Sequence, residues 1–194
     1  NDGDGQSDMN DPDCSSPDDD SEAGTLAGGG LPRICRKPNA IVGTRGRDRL
    51  KGTRGKDILC GLAGKDVLRG RGGRDKILGH KGNDRMFGQK GNNRIRGHGG
   101  RDRASGGRGR DKLYGNKGND KLKSNAGNDR LFGHGGRDAL VGGGGKDRLR
   151  GGRGKDRLRS GAGNDGLNGQ AGRDRCRPGS GRNRMKSCEV TRKK

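Results

Sequence analysis

The chain has 194 residues, 22% hydrophobic and 2% aromatic, with a formal net charge of +21. So little apolar surface cannot close a conventional globular core against the entropy of ordering the chain, and only stacked units with one buried residue each escape a reading of disorder. No run of 18 apolar residues is present, which excludes a membrane-spanning helix.

Residues 1–30 hold eight Asp and Glu22 but no Lys or Arg, so the positive balance lies entirely beyond them. Their opening, NDGDGQSDMNDPDC, resembles part of a thrombospondin type 3 calcium repeat. Asp2, Asp4, Asp8 and Asp11 match ligand positions of that motif, and its leading Asp is missing, as in a truncated start. The rest of this acidic, Ser- and Gly-rich stretch is expected to be a disordered tail, able to fold back on the basic remainder. The chain starts at Asn1 without an apolar leader, which points to a removed leader or a fragment. Residues 31–42 are expected to form an N-terminal cap.

From there aspartate recurs every nine residues, at Asp48, Asp57, Asp66, Asp75, Asp84, Asp102, Asp111, Asp120, Asp129, Asp138, Asp147, Asp156, Asp165 and Asp174, with Asn93 in the one remaining slot. Glycine stands two residues before every slot and an apolar or small residue two after it, from Leu50 to Cys176. Beyond residue 30 the only other acid is Glu189, so these carboxylates have a specific task rather than a general one. The unit is G-x-x-G-x-D-x-U-x, with U apolar. Its glycine half suits tight turns, and its x-U-x half suits a short strand with U inward. No proline interrupts residues 39–177. The position four before each slot holds Gly, Asn or His in many units, residues that tolerate positive φ.

Two units close a flattened coil of 18 residues, which places Asp48 over Asp66 and Asp57 over Asp75. Fifteen units give a rod of ~36 Å at the usual strand spacing. The unit is similar to the nonapeptide of hemolysin-type (RTX) calcium-binding repeats across residues 43–177. The resemblance implies an all-β, right-handed parallel β-roll (β-solenoid) of about fifteen repeats. It also implies Ca²⁺ between successive turns, held by the slot Asp carboxylates and turn carbonyls. Oxygen donors of this kind suit Ca²⁺ rather than zinc or copper. One ion per stacked pair would make thirteen sites.

Several positions depart from the pattern. Asn93 keeps an acceptor but loses the charge, so its flanking sites are expected to be weaker. Ser124 and Ser160 replace the first glycine of their units, and Ala104 underfills its core slot, making Asn93–Ser105 the expected soft part of the rod. The residue before each slot is Arg or Lys in ten units and Asn in the rest (Asn83, Asn92, Asn119, Asn128 and Asn164). These bases either lower calcium affinity or pair with Asp on adjacent turns in place of calcium; both make the roll less calcium-dependent than acidic relatives. Columns of bases would also welcome an anionic polymer such as an envelope glycan, lipopolysaccharide or nucleic acid, against the plainer reading of a solvated basic surface.

Phe87, Tyr114 and Phe132 should point outward. His80 and His98, 18 apart, are expected to stack as positive-φ turn residues rather than as a metal pair, with no Cys or acidic cluster completing a transition-metal site. Cysteines frame the rod, and Cys35–Cys60 and Cys176–Cys188 disulfides are expected to staple its end coils, leaving Cys14 over. Residues 178–194 are expected to form a C-terminal cap and basic tail. No nucleophile–base pair or phosphate-cradling motif stands out. The expected function is a secreted, calcium-binding structural or adhesive module rather than an enzyme, with a calcium-independent, polyanion-binding solenoid as the alternative.

Overall fold

The computed structural model describes residues 31–190. The acidic tail, its candidate ligands Asp2, Asp4, Asp8 and Asp11, Cys14 and residues 191–194 lie outside the described residues. Among the described residues the chain is all-β apart from one 3-10 turn, Arg33–Arg36, and none forms a helix long and apolar enough to cross a membrane.

The strands form two parallel sheets. One runs Ala40–Val42, Ile58–Cys60, Lys76–Gly82, Arg94–Gly99, Lys112–Lys117, Arg130–Gly135, Arg148–Arg153, Gly166–Ala171 and Arg184–Lys186, with Ala63–Gly64 also paired to Lys76–Gly82. The other runs Arg49–Lys51, Val67–Arg71, Arg85–Lys90, Arg103–Arg108, Lys121–Ala126, Ala139–Gly144, Arg157–Ala162, Arg175–Arg177 and Glu189–Val190. Partners differ by 18 residues, as in Leu113 against Leu131 and Leu122 against Leu140. Consecutive units therefore alternate between the sheets, which makes a β-solenoid about 38 Å long at ~4.8 Å per coil. The last pairing, Arg175 against Glu189, closes a shorter loop.

The core is a single file. Leu59, Leu68, Ile77, Met86, Ile95, Ala104, Leu113 and their successors to Cys176 are buried between the sheets, one per unit. At ~25 cal/mol per Å², each buried Leu contributes about 1.5–3 kcal/mol, and neighbouring coils cover its remaining faces. That is how a 22% hydrophobic chain has an interior at all. Flanking strand residues point outward, giving an alternating exposed–buried pattern such as that of Lys121–Ala126.

The turns follow the glycine pattern. Every residue four before a slot from Leu62 to Gln170 has positive φ, including His80, Asn116 and Gly143. Thr44 and Thr53, at the same position in the first two units, do not. Gly100, two before Asp102, has φ +123°, and a Cβ there would strike the Gly82 carbonyl one coil back. Glycine is thus required for close approach of the coils as well as for the turn.

The ladder also runs past Asp174. Asn183 occupies a further slot nine residues on, preceded by Gly181 at φ +100° and followed by the strand Arg184–Lys186. At the other end Ala40–Val42 pairs in the same 18-residue register. Both expected disulfides, Cys35–Cys60 and Cys176–Cys188, are formed. The first lies in a small apolar cluster with Ile34, Ile58, Leu62 and Leu78.

Candidate metal centre

Each slot carboxylate turns inward and fills the bend of its own turn. From Asp66 onward its Oδ1 accepts the backbone N–H of the slot residue one coil earlier. The Asp48 N–H donates to Asp66 Oδ1 at 2.8 Å, Asp84 to Asp102 at 2.8 Å and Asp156 to Asp174 at 2.9 Å. The backbone carbonyl of each slot residue accepts from the strand of the next coil, as Asp48 O does from Val67 N–H at 2.9 Å. Two columns result, one through Asp48, Asp66 and Asp84, the other through Asp57, Asp75 and Asn93.

The second carboxylate oxygen is different. Oδ2 of Asp66, Asp75, Asp84, Asp102, Asp111, Asp120, Asp129, Asp138, Asp147, Asp156, Asp165 and Asp174 is buried and accepts no hydrogen bond. Beside it stands the first glycine of the unit. A Cβ on Gly61 would lie 2.5 Å from Asp66 Oδ2 and 2.8 Å from the Gly79 carbonyl oxygen; on Gly151 it would lie 2.5 Å from Asp156 Oδ2 and 2.7 Å from the Gly169 carbonyl. Carboxylate and carbonyl oxygens of successive coils thus converge on one cradle.

Anions stacked at the coil spacing and cut off from water resist ionisation. Burial, with help from Asp120 and Asp84, pushes Asp102 up to about 8. Burial pushes Asp138 and Asp147 up to about 7, with Asp120 and Asp156 adding to the first and Asp129 and Asp165 to the second. A proton or a cation relieves such a column. No Arg or Lys before or after a slot reaches these Oδ2 atoms by a hydrogen bond.

Not all slots are alike. Asp48 Oδ2 accepts from Thr44 N–H and Oγ1–H at 2.7 and 3.0 Å, and Asp57 Oδ2 from Thr53 N–H and Oγ1–H at 2.7 and 3.1 Å. These two carboxylates are already satisfied. Asn93 keeps the ladder, accepting from Asp75 N–H at 3.1 Å, but its Nδ2 donates to the Gly91 carbonyl and stands where Oδ2 would be. Ser124 spends its hydroxyl on the Gly142 carbonyl at 2.9 Å.

Eight overlapping segments, from residues 38–68 to 150–185, match the model of the RTX calcium-binding nonapeptide repeat family. The chain belongs to this family. No curated protein matches it. The ion implied for an RTX roll is calcium, and the donor set fits: oxygen only, anionic and convergent, with the carboxylate Oδ2 atoms lacking a hydrogen-bond partner. When bound, Ca²⁺ would supply the charge that twelve buried carboxylates lack.

The Asn before the slot has a role that its sequence position hid. Asn92, Asn128 and Asn164 Oδ1 each accept the backbone N–H of the basic residue one coil on, Arg110, Lys146 and Arg182, at 2.7–2.8 Å. Their 36-residue spacing was the available signal. Outside the RTX columns, His80 and His98 do stack, with ring centroids 4.8 Å apart, and both have positive φ. The expectation that no Cys or acidic cluster completes a transition-metal site beside them meets two cysteines: the turn that carries His80 folds against the cap, its Nε2 lies 3.6 Å from Cys35 Sγ, and Cys60 Sγ is within 4.8 Å. On the outer face Tyr114 stacks on Phe132 at 4.9 Å, with Arg96 and Arg150 over the free ring faces at 5.3 and 5.6 Å. This packing leaves Tyr114 buried rather than presented to solvent.

Proposed function

We propose that this RTX roll works outside the cell as a non-catalytic structural or adhesive module whose coils calcium locks together. The ions are held by the unpartnered Oδ2 atoms from Asp66 to Asp174 and by the glycine carbonyls facing them. Asp48, Asp57 and Asn93 contribute little. The observation that carries this reading is the row of buried carboxylate oxygens without a donor, since an ion is what such a row lacks. Paired cysteines and weak oxygen sites that fill at millimolar calcium favour an extracellular setting. Circular dichroism with calcium titrated against EGTA, beside a calorimetric count of bound ions, tests it. Identical β signal in both conditions together with no bound calcium refutes it.

One observation favours an anionic polymer as a further partner. A groove of about 600 Å³ runs along one Asp column, lined by Arg101, Arg137, Lys155, Arg157, Arg173 and Arg175 among others. Such a row attracts a polyanion by charge and counterion release, so binding must weaken steeply as salt rises. Salt-independent binding of heparin would dismiss this partner.

A further inference from the structure

Away from the Asp columns, three atoms of a different chemistry meet at the N-terminal end. Cys35 Sγ, Cys60 Sγ and His80 Nε2 all lie within 4.8 Å of one another. The two sulfurs are joined as a disulfide, and Cys35 Sγ lies 3.6 Å from His80 Nε2. With Zn–S near 2.3 Å and Zn–N near 2.0–2.1 Å, a tetrahedral ion has an S···N edge of ~3.6 Å and an S···S edge of ~3.8 Å. The Cys35–His80 edge is therefore already set; on reduction the two sulfurs part, and Cys60 Sγ, within 4.8 Å of His80 Nε2, closes the second S···N edge. The cysteines are 2% and 0% exposed, walled by Ile34, Ile58, Leu62 and Leu78. The next imidazole in the stack, His98, has a buried Nε2 without a hydrogen-bond partner.

We propose that when the Cys35–Cys60 disulfide is reduced, Cys35, Cys60 and His80 bind Zn²⁺. The cap of the roll is then closed by a disulfide in oxidising surroundings and by a metal in reducing ones. The chemistry balances. Two thiols, or one phosphine with one water, supply two electrons and two protons: the S–S bond breaks, both sulfurs end as thiols, and the reductant leaves as a disulfide or as a phosphine oxide that keeps the water oxygen. Zn²⁺ displaces those two protons and takes the imidazole nitrogen directly. Calcium does not compete, because it prefers oxygen, and the all-oxygen Asp columns offer no thiolate.

The test uses the full chain, reduced with a water-soluble phosphine under argon and titrated with Co²⁺ as a spectroscopic stand-in for Zn²⁺, in saturating calcium. Sulfur-to-cobalt charge-transfer absorption should rise to one equivalent, bleach on adding Zn²⁺ and be absent from oxidised protein. It should be lost in His80→Asn, which keeps a residue suited to positive φ, with far-UV dichroism verifying the fold. It should survive in Cys14→Ser and in the Cys176→Ser/Cys188→Ser double variant. Zn²⁺ should also shield two of the five cysteines from alkylation. Unchanged absorption in His80→Asn, loss in the double variant, or no charge transfer in the reduced chain overturns the proposal. None of these outcomes bears on calcium binding, which the EGTA comparison reads separately.

Discussion

Replacing Asn93 by Asp restores the missing carboxylate and should destabilise the metal-free roll, with calcium offsetting the loss. In the metal-free roll the new Oδ2 stands where Asn93 Nδ2 now donates to the Gly91 carbonyl, so that hydrogen bond is lost at about 1 kcal/mol. The new charge also lies between Asp75 and Asp111, roughly one coil from each. At ~4.8 Å and an effective dielectric near 20, two unit charges repel by about 3.5 kcal/mol. Both neighbours are themselves pushed up to about 6, so the full penalty applies only near pH 8. With two such neighbours the sum reaches about 8 kcal/mol, but protonating the new carboxyl instead costs about 5–6 kcal/mol at pH 8, which caps the loss and lowers the melting midpoint by roughly 10–24 °C for a chain of this size. With calcium at 100 times Kd, each completed site returns up to about 2.7 kcal/mol. Thermal melts of both proteins at pH 8, in EGTA and in millimolar calcium, with ion counts by calorimetry, read all of this. The reasoning fails if Asn93→Asp melts higher than the parent in EGTA, or if it binds no additional calcium.

Three further outcomes are expected. The slot carboxylates from Asp66 to Asp156 have folded pKa values above the ordinary 3.8, Asp102 at about 8 and Asp138 and Asp147 at about 7, so the folded chain holds their protons more tightly than the unfolded chain. Their stabilisation is complete below pH 4 and lost as pH rises through 6–8; melts in EGTA at pH 5 and 8.5 should show the higher midpoint at pH 5, and calcium should narrow or invert the gap. Asp57→Asn should leave the number of bound calcium ions unchanged because Thr53 already satisfies that carboxylate, whereas Asp120→Asn should reduce it; equal losses would show that the free Oδ2 is not the criterion. Leu131→Ala, between Leu113 and Leu149 in the single-file core, should cost about 2–5 kcal/mol in urea unfolding, and a loss under 1 kcal/mol would mean that the coils collapse onto the gap.

The architecture was legible because a nine-residue period fixes almost everything in a solenoid. Leu at the second position after the slot, glycine where coils touch and a turn residue four before Asp each follow from one repeat, and the sheets repeat them. What escaped depends on contacts between coils or on the ends. Thr44 and Thr53 look like any small polar turn residue, and only folding shows their hydroxyls on Asp48 and Asp57. Asn183 was missed because Gly179, Gly181 and Met185 surround an Asn instead of an Asp. His80 is 45 residues from Cys35, and nothing in a nine-residue pattern tells where a non-repeating cap will fold.

The Asn residues that hold the next coil's N–H set a limit on how this rod can change length. Along one edge the position before the slot reads Arg74, Asn92, Arg110, Asn128, Lys146, Asn164, Arg182, base and amide by turns. Each Asn serves a coil whose own residue is a base, and cations in that file stand ~9.6 Å apart, close to a Debye length, instead of ~4.8 Å. Deleting one coil of 18 residues would bring base onto base or amide onto amide at the seam. Deleting 36 would not. For this stretch the heritable brick is two coils, four times the length of the motif that defines it.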